Sequence, residues 1–340
     1  MTKLLLSDPQ SIAEAAEVIR TGGLVAFPTE TVYGLGANAM DARAVEKIFS
    51  AKGRPTTDPL IVHISNLSQI ERVVSSFSSA ARTLADAFWP GPLTLVLPKQ
   101  PDVPNLVTSS LKSVAVRIPN HPVALALIEA AGVPIAAPSA NRFGHTSPTT
   151  ASHVFQDLAD RIDIILDGGS TLIGVESTIV DLSTNPARIL RPGGVTREML
   201  ETLIGPVTVF KQIKKPGQKL ISPGLLEKHY APRAEMILFK GPDAGQRLSD
   251  FLAKQKDTGK NIGALATLET ADTIEQNGVL VYRLGSSTDL ASIARHIYAG
   301  LRWLDDQKVD LIVCQDFGEL ELGLAIQDRL TRAATRVIGN

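Results

Sequence analysis

The chain has 340 residues, 44% apolar and 20% charged, and its 34 basic and 35 acidic side chains leave a formal net charge of -1. That length exceeds one ordinary core and suits two globular domains. Residues 1–210 carry 16 basic and 19 acidic side chains, and the remainder 18 and 16, so neither half has the cationic excess of a protein that grips nucleic acid mainly through phosphates.

The first residues, Met1 to Asp8, turn polar too early for a signal peptide, and no apolar run is long enough to span a bilayer. A cytoplasmic protein without membrane contact is the expectation. Ser7-Asp8-Pro9 can cap a helix with Ile12, Ala15, Ala16 and Ile19 on one face, and Thr21-Gly22-Gly23 ends it. Residues 24–27 read as a buried strand. Tyr33-Gly34-Leu35-Gly36-Ala37-Asn38-Ala39 imitates a dinucleotide fingerprint between that strand and the next helix. The Pro28–Tyr33 spacer is too long for the tight turn, and the acidic residue such sites need is missing. Asp41 can start a second helix with Val45, Ile48 and Phe49 inward, and 79–88 a third, broken by Trp89-Pro90-Gly91-Pro92. Further strands are expected at 60–64, 93–97, 114–118, 135–137, 164–166 and 178–182. Their uneven spacing points to an α+β fold with a twisted mixed sheet over residues 1–210.

Residues 211–233 are rich in Lys, Pro and Gly and read as a linker, although His229 and Tyr230 are unusual in a plain tether. Residues 234–340 alternate regularly. Strands are expected at 236–239, 262–266, 279–284 and 311–314, and helices at 243–255, 289–306 and 324–334, which makes a small doubly wound parallel sheet. Cys314, the only cysteine, falls in the apolar run 309–314 and reads as a buried structural thiol; disulfides within the chain and a multi-cysteine zinc site are excluded.

The segments that could carry chemistry are polar, rich in Gly and Pro, and lie at strand ends. Lys52 and Arg54 flank a glycine, so both cations can approach one anion. Taken alone they also read as a solvated helix C-terminus, stabilised by its dipole. Arg117 and Arg191 stand next to, or one residue from, prolines. Ser139 and Asn141 face the same way on an extended Ser-Ala-Asn, and Thr29, Thr31 and Ser177 add short hydroxyls. His63, alone, is a core histidine. There is no Ser-His-Asp set, catalytic cysteine, His/Cys metal cluster or P-loop. A stock of cations and neutral donors suits polyphosphate binding and nucleotidyl transfer, where the protein positions and neutralises.

Together these segments resemble the YrdC-like domain of threonylcarbamoyl-AMP synthases. The resemblance rests on Lys52-Gly53-Arg54 followed by Ser139-Ala140-Asn141. Pro28–Gly36, Pro59–His63, Trp89–Thr94, Ser147-Pro148-Thr149, Gly174–Thr178 and Ile189-Leu190-Arg191-Pro192-Gly193 extend it over residues 8–205. Ser222-Pro223-Gly224, His229-Tyr230-Ala231-Pro232 and a Rossmann-like end are similar to the long form of the family. Phe143 and Glu227 depart from residues that some relatives carry.

The resemblance implies a fold, a YrdC-like α+β domain followed by a small α/β Rossmann-like domain. It implies an activity, in which L-threonine, bicarbonate or CO2, and ATP give L-threonylcarbamoyl-AMP and pyrophosphate. A partner transferase then uses the adenylate to modify adenosine 37 of tRNA. Lys52 and Arg54 would be catalytic. Thr31, His63, Arg117, Ala137 and Ser177 would line the L-threonine pocket. Arg54, Asp58, Ser113, Ser139, Asn141, Ser147, Arg191 and Tyr230 would surround ATP. Mg2+ would be held by phosphates and water without protein ligands, and residues 211–233 would form a lid over the site. Two other readings stay open: a tRNA- or double-stranded-RNA-binding module, disfavoured by the acidic first half, and a carbamoyl-adenylating enzyme of the hydrogenase-maturation type, disfavoured by the single cysteine.

Overall fold

The computed structural model describes residues 1–210, 222, 230–255 and 258–339. It divides into two compact units. One comprises Met1–Phe143, Ser147–Leu172 and Glu176–Leu226; the other comprises Gly144–Thr146, Ile173–Val175 and Glu227–Asn340. Most of the expected linker and lid, including His229, lies outside the described residues.

In the first unit the elements run β1 (Lys3–Leu6), α1 (Pro9–Arg20), β2 (Val25–Phe27), β3 (Gly34–Asn38), α2 (Ala42–Lys52), β4 (Ile61–His63), α3 (Ser79–Phe88), β5 (Leu93–Pro98), β6 (Ser113–Arg117), α4 (Pro122–Ala131), β7 (Ile135–Ala136), α5 (Ala151–Leu158), β8 (Ile164–Asp167), β9 (Thr178–Asp181), β10 (Ala187–Arg191), α6 (Arg197–Ile204) and β11 (Val207–Val209). Among the described residues these strands form one mixed sheet in the order β1-β8-β2-β3-β7-β4-β6-β5-β9-β10-β11. Local chemistry sets the helix ends. The Asp8 carboxylate accepts from the Ser11 amide at 2.9 Å, Asp41 from Arg43, and the Ser78 hydroxyl from Ala81. Gly53, at φ 65, closes α2 in the left-handed region, which leaves Lys52 as its last residue and Arg54 as the first residue beyond the turn.

The glycine-rich segment that imitates a dinucleotide turn is itself a strand, β3, antiparallel to β2. Close packing explains its glycines. A Cβ on Gly36 would stand 2.7 Å from the Phe27 ring and 2.8 Å from Ile135. Apolar clusters cover both faces of the sheet. Ala15, Ala16 and Ile19 of α1 pack with Val123, Leu127 and Ile128 of α4 over Val25, Phe27 and Ile164. Leu35, Ile48, Leu84, Leu95 and Val116 belong to the larger cluster.

The second unit holds β12 (Glu235–Phe239), α7 (Ala244–Gln255), β13 (Ile262–Ala266), α8 (Leu268–Glu275), β14 (Leu280–Arg283), α9 (Leu290–Asp306), β15 (Leu311–Gln315), α10 (Leu322–Ala333) and β16 (Arg336–Ile338). Its strands are parallel throughout, in the order β14-β13-β15-β12-β16. Cys314 is fully buried on β15, and burial pushes its thiol pKa up, so it is an inert core residue. The segment Gly144–Thr146 belongs to this unit: the Ala231 amide donates to the Gly144 carbonyl at 3.0 Å, and the Thr146 hydroxyl to the Tyr230 carbonyl at 3.2 Å. No helix among the described residues is long and apolar enough to cross a membrane.

Candidate active site

The β2–β3 connection, residues 28–33, is a loop held by its own hydroxyls. Thr29 Oγ1 donates to the Val32 carbonyl at 2.6 Å and lies 2.8 Å from Thr31 Oγ1. Parallel pairing of β4 and β6 sets His63 opposite Arg117, and paired residues share a face of the sheet. Arg117 Nη1 donates to Thr31 Oγ1 at 3.0 Å, and its Nε to the Gly91 carbonyl at 3.1 Å. Its Nη2 lies 2.7 Å from Glu30 Oε1, with both side chains 4% exposed. His63 packs edge-on to the Phe27 ring. Burial, and then the Arg117 charge, drop its pKa to about 3, so the imidazole is neutral at physiological pH. Its Nδ1 makes no hydrogen bond among the described residues. The Ala137 amide is used within the fold, donating to the Ile61 carbonyl.

A second group of polar side chains gathers around the α2 C-terminus. Lys52 Nζ donates to the Ser139 and Asn141 carbonyls, both at 2.5 Å, so the Lys-Gly-Arg turn is tied to the Ser-Ala-Asn segment. Ser139 Oγ in turn donates to Asn141 Oδ1 at 2.5 Å. Arg54 Nη2 meets Asp58 Oδ2 at 2.9 Å and also donates to the Pro59 carbonyl. Burial raises the Asp58 pKa, against the pull of Arg54, Lys52 and Arg191. Lys52 is held well below the usual lysine range by burial and by the Arg54 charge. Reading Lys52 and Arg54 as a solvated helix end therefore fails: they are 3% and 7% exposed.

Ser177 joins the second group through Arg191. Arg191 donates through Nε and Nη2 to the Ser177 carbonyl, and through Nη2 to Ser177 Oγ at 3.1 Å; that hydroxyl also lies 2.8 Å from Thr94 Oγ1. Gly193 lets the Arg-Pro-Gly segment lie against the backbone of Glu176 and Ser177, where a Cβ would collide. Ser147 Oγ donates to Glu176 Oε1 at 2.6 Å.

Thr31, His63 and Arg117 are thus brought together, and Lys52, Arg54, Asp58, Ser139, Asn141, Arg191 and Ser177 form a second set, each linked by contacts or by its members' fields. Ser113, half-buried at the start of β6, pairs with Pro98 in the sheet and stands apart from these contacts. Tyr230 lies in the second unit, where its ring packs 5.5 Å from Tyr298 and 5.3 Å from the Arg329 guanidinium. The motifs read from the sequence contain Glu30, Thr94 and Glu176 but mark no role for them. The only available signal is an acid set between two threonines in Pro28–Thr31. No group of three or more His, Cys, Asp or Glu among the described residues is arranged to hold a metal ion.

A mixed α/β unit with buried cations and hydroxyls at its strand ends, joined to a parallel α/β unit, defines the class. Residues 17–193 match the family described as "Telomere recombination", and 195–335 match "Threonylcarbamoyl-AMP synthase, C-terminal domain". The chain is 46% identical to the threonylcarbamoyl-AMP synthase of Bacillus subtilis, over 98% of its own length and 95% of that protein's. It is 38% identical to the Schizosaccharomyces pombe protein of the same name, over 96% and 89%. The crystal structure of Pyrococcus abyssi Sua5 complexed with L-threonine superposes with a TM-score of 0.89 at 42% identity, covering 99% of this chain and 98% of that one. The chain belongs to the threonylcarbamoyl-AMP synthase family.

Proposed function

We propose that this chain is a nucleotidyltransferase that makes L-threonylcarbamoyl-AMP and pyrophosphate from L-threonine, bicarbonate or CO2, and ATP. The observation that carries the reading is the contrast in charge between two buried groups, one around Asp58 and one around Arg117. Lys52, Arg54 and Arg191 face one carboxylate, Asp58, and suit a polyphosphate. Arg117 and Glu30 balance each other and suit an amino acid. In the reaction a carbamate oxygen of N-carboxylated threonine attacks the α-phosphorus of ATP, and pyrophosphate carries off the bonding pair. Ser177 and Arg191 hold the junction where the two reactants meet, so most of the catalysis is positioning and charge neutralisation.

In this reading Arg117 receives the substrate carboxylate. Thr31, neutral His63, Ser177 and the Ala137 backbone satisfy its hydroxyl and amine. Lys52 and Arg54 neutralise the departing phosphates, and Asp58, Ser113, Ser139, Asn141, Ser147 and Arg191 frame the nucleotide. Mg2+ arrives as part of the MgATP substrate: with Asp58 paired to Arg54 in a cationic field, the donors present suit a cation only when phosphates carry it. A tRNA threonylcarbamoyl transferase would consume the adenylate to modify position 37, with little direct tRNA binding by this chain. Residues 211–233 would act as the nucleotide lid, with Tyr230 anchored on Tyr298 and Arg329 of the second unit. The test is incubation with ATP, Mg2+, bicarbonate and each amino acid in turn, with pyrophosphate and the adenylate followed by mass spectrometry. Absence of a threonine-dependent adenylate would refute the reading.

A further inference from the structure

Arg117 is held in place by two aligned hydrogen bonds, from Nε to Gly91 and from Nη1 to Thr31. Its third nitrogen behaves differently. Nη2 stands 2.7 Å from Glu30 Oε1, yet it makes no hydrogen bond among the described residues, and neither Glu30 oxygen accepts one. The two groups are held together as an ion pair. Both residues are 3% exposed. A buried ion pair with its hydrogen-bonding capacity unspent is an expensive way to stabilise a fold. It is, however, the complement of a zwitterion: an acceptor for an ammonium beside a donor for a carboxylate. His63, paired with Arg117 across β4 and β6, leaves Nδ1 without a hydrogen bond as well.

We infer that Glu30 receives the ammonium group of the amino-acid substrate and takes the proton that group must lose before N-carboxylation. The inference rests on the function proposed above. An ammonium nitrogen has no lone pair and cannot attack carbon. Transfer of one N–H proton to a Glu30 oxygen frees the pair, and the amine nitrogen then forms its bond to the bicarbonate carbon. The C–OH bond breaks, the hydroxide leaves with the second amine proton as water, and the carbamate remains. Overall, one ammonium and one bicarbonate give one carbamate, one water and one proton, and Glu30 holds that proton until it returns to solvent. Arg117 keeps the carboxylate end in place while the amine reacts.

The test uses the full-length protein and two ligands: L-threonine, and the matching 2,3-dihydroxybutanoate, in which a hydroxyl replaces the amine. Wild type should bind threonine at least tenfold more tightly than the analogue, the usual difference for a charge-assisted hydrogen bond. In Glu30→Gln the ratio should fall close to one, and threonine-dependent adenylate formation should drop on the order of 10²-fold. Glu30→Asp should keep part of both and serves if the Gln variant folds poorly. A purely structural Glu30 would weaken both ligands alike and leave the ratio unchanged, which overturns the inference. So would a Glu30→Gln enzyme with the wild-type ratio and rate. Failure of the wild type itself to form any adenylate would instead refute the proposed function.

Discussion

His63 should make the first unit acid-sensitive below about pH 6.5. The imidazole is 4% exposed, and burial together with Arg117 depresses its pKa to about 3, while in the unfolded chain it returns to about 6.5. The folded-state value is the lower one. The stabilisation is therefore complete above pH 6.5 and is lost as pH falls toward 3, because only the unfolded chain takes up the proton in that window. The slope is about 1.4 kcal/mol per pH unit, which gives about 2 kcal/mol between pH 7 and pH 5. His63→Gln removes the titration and keeps a neutral polar side chain. Urea unfolding should be read from Trp89 in a Trp303→Phe background, which leaves one tryptophan, in the first unit. Comparing that background with and without His63→Gln cancels other acid-side groups such as Asp181, whose pKa its hydrogen bonds to Ser183 and Arg188 lower against the opposing effect of burial. If both chains lose the same stability between pH 7 and pH 5, the buried neutral histidine is refuted.

The small residues Thr31, Ala137 and Ser177 should favour L-threonine over L-serine by roughly ten- to 200-fold in kcat/KM, the worth of one methyl group, and equal values would remove the threonine assignment. Arg54→Ala should cost on the order of 10²-fold in turnover. It should also destabilise the protein by about 3–5 kcal/mol, because it strands the buried Asp58 carboxylate; adding Asp58→Asn should restore stability but not turnover, and unchanged turnover in a folded Arg54→Ala protein would sink the phosphate role. ATP binding should draw up to one proton onto Lys52, whose ammonium is disfavoured by burial and Arg54 until phosphates arrive; calorimetric heats that do not depend on the buffer's ionisation heat would refute this. Tyr230→Ala should destabilise the second unit by about 3–5 kcal/mol, since the ring is 1% exposed against Tyr298 and Arg329; an unchanged unfolding transition read at Trp303 would contradict that packing.

What is legible in the sequence follows from what each signal encodes. The first two helices announce themselves through caps, Asp8 and Asp41, and through a single apolar face, and the third through the Trp89-Pro90-Gly91-Pro92 breaker that ends it. The central strands of the second unit, β12, β13 and β15, are nearly continuous apolar runs because a parallel sheet is buried on both faces. β1 escapes a reading of the sequence because its side chains are mostly exposed and carry no inward pattern. β3 is masked because glycine, a residue depleted in strands, is needed there for close approach to Phe27 and Ile135. In α4 apolar residues fill nearly every position from Val123 to Ala131, so no amphipathic period stands out. In the site, residue types reveal Lys52, Arg54, Arg117 and Ser177 as candidates. Partnerships are invisible: nothing in the chain order says that Glu30 will face Arg117, or that Lys52 will spend its protons on the carbonyls of Ser139 and Asn141.

Those partnerships bear on how a buried site tolerates its own charge. Three cations around one carboxylate in a low-dielectric interior are self-repelling. The fold answers in two ways visible in the geometry. Arg54 is committed to Asp58 and to main-chain carbonyls, and Lys52 rests on two carbonyls while its ammonium is disfavoured. In the function proposed above, an incoming polyphosphate would reverse both conditions, since it would supply the missing negative charge and stabilise the protonated lysine. The Arg117–Glu30 pair needs no such rescue, because it is already neutral. A polyphosphate gains little there, whereas a zwitterion gains both ends. In the function proposed above, charge balance would thus suit the two groups to different reactants, with the Arg191–Ser177 contact as the place where an amino-acid carbamate and an α-phosphate would come within reach of each other.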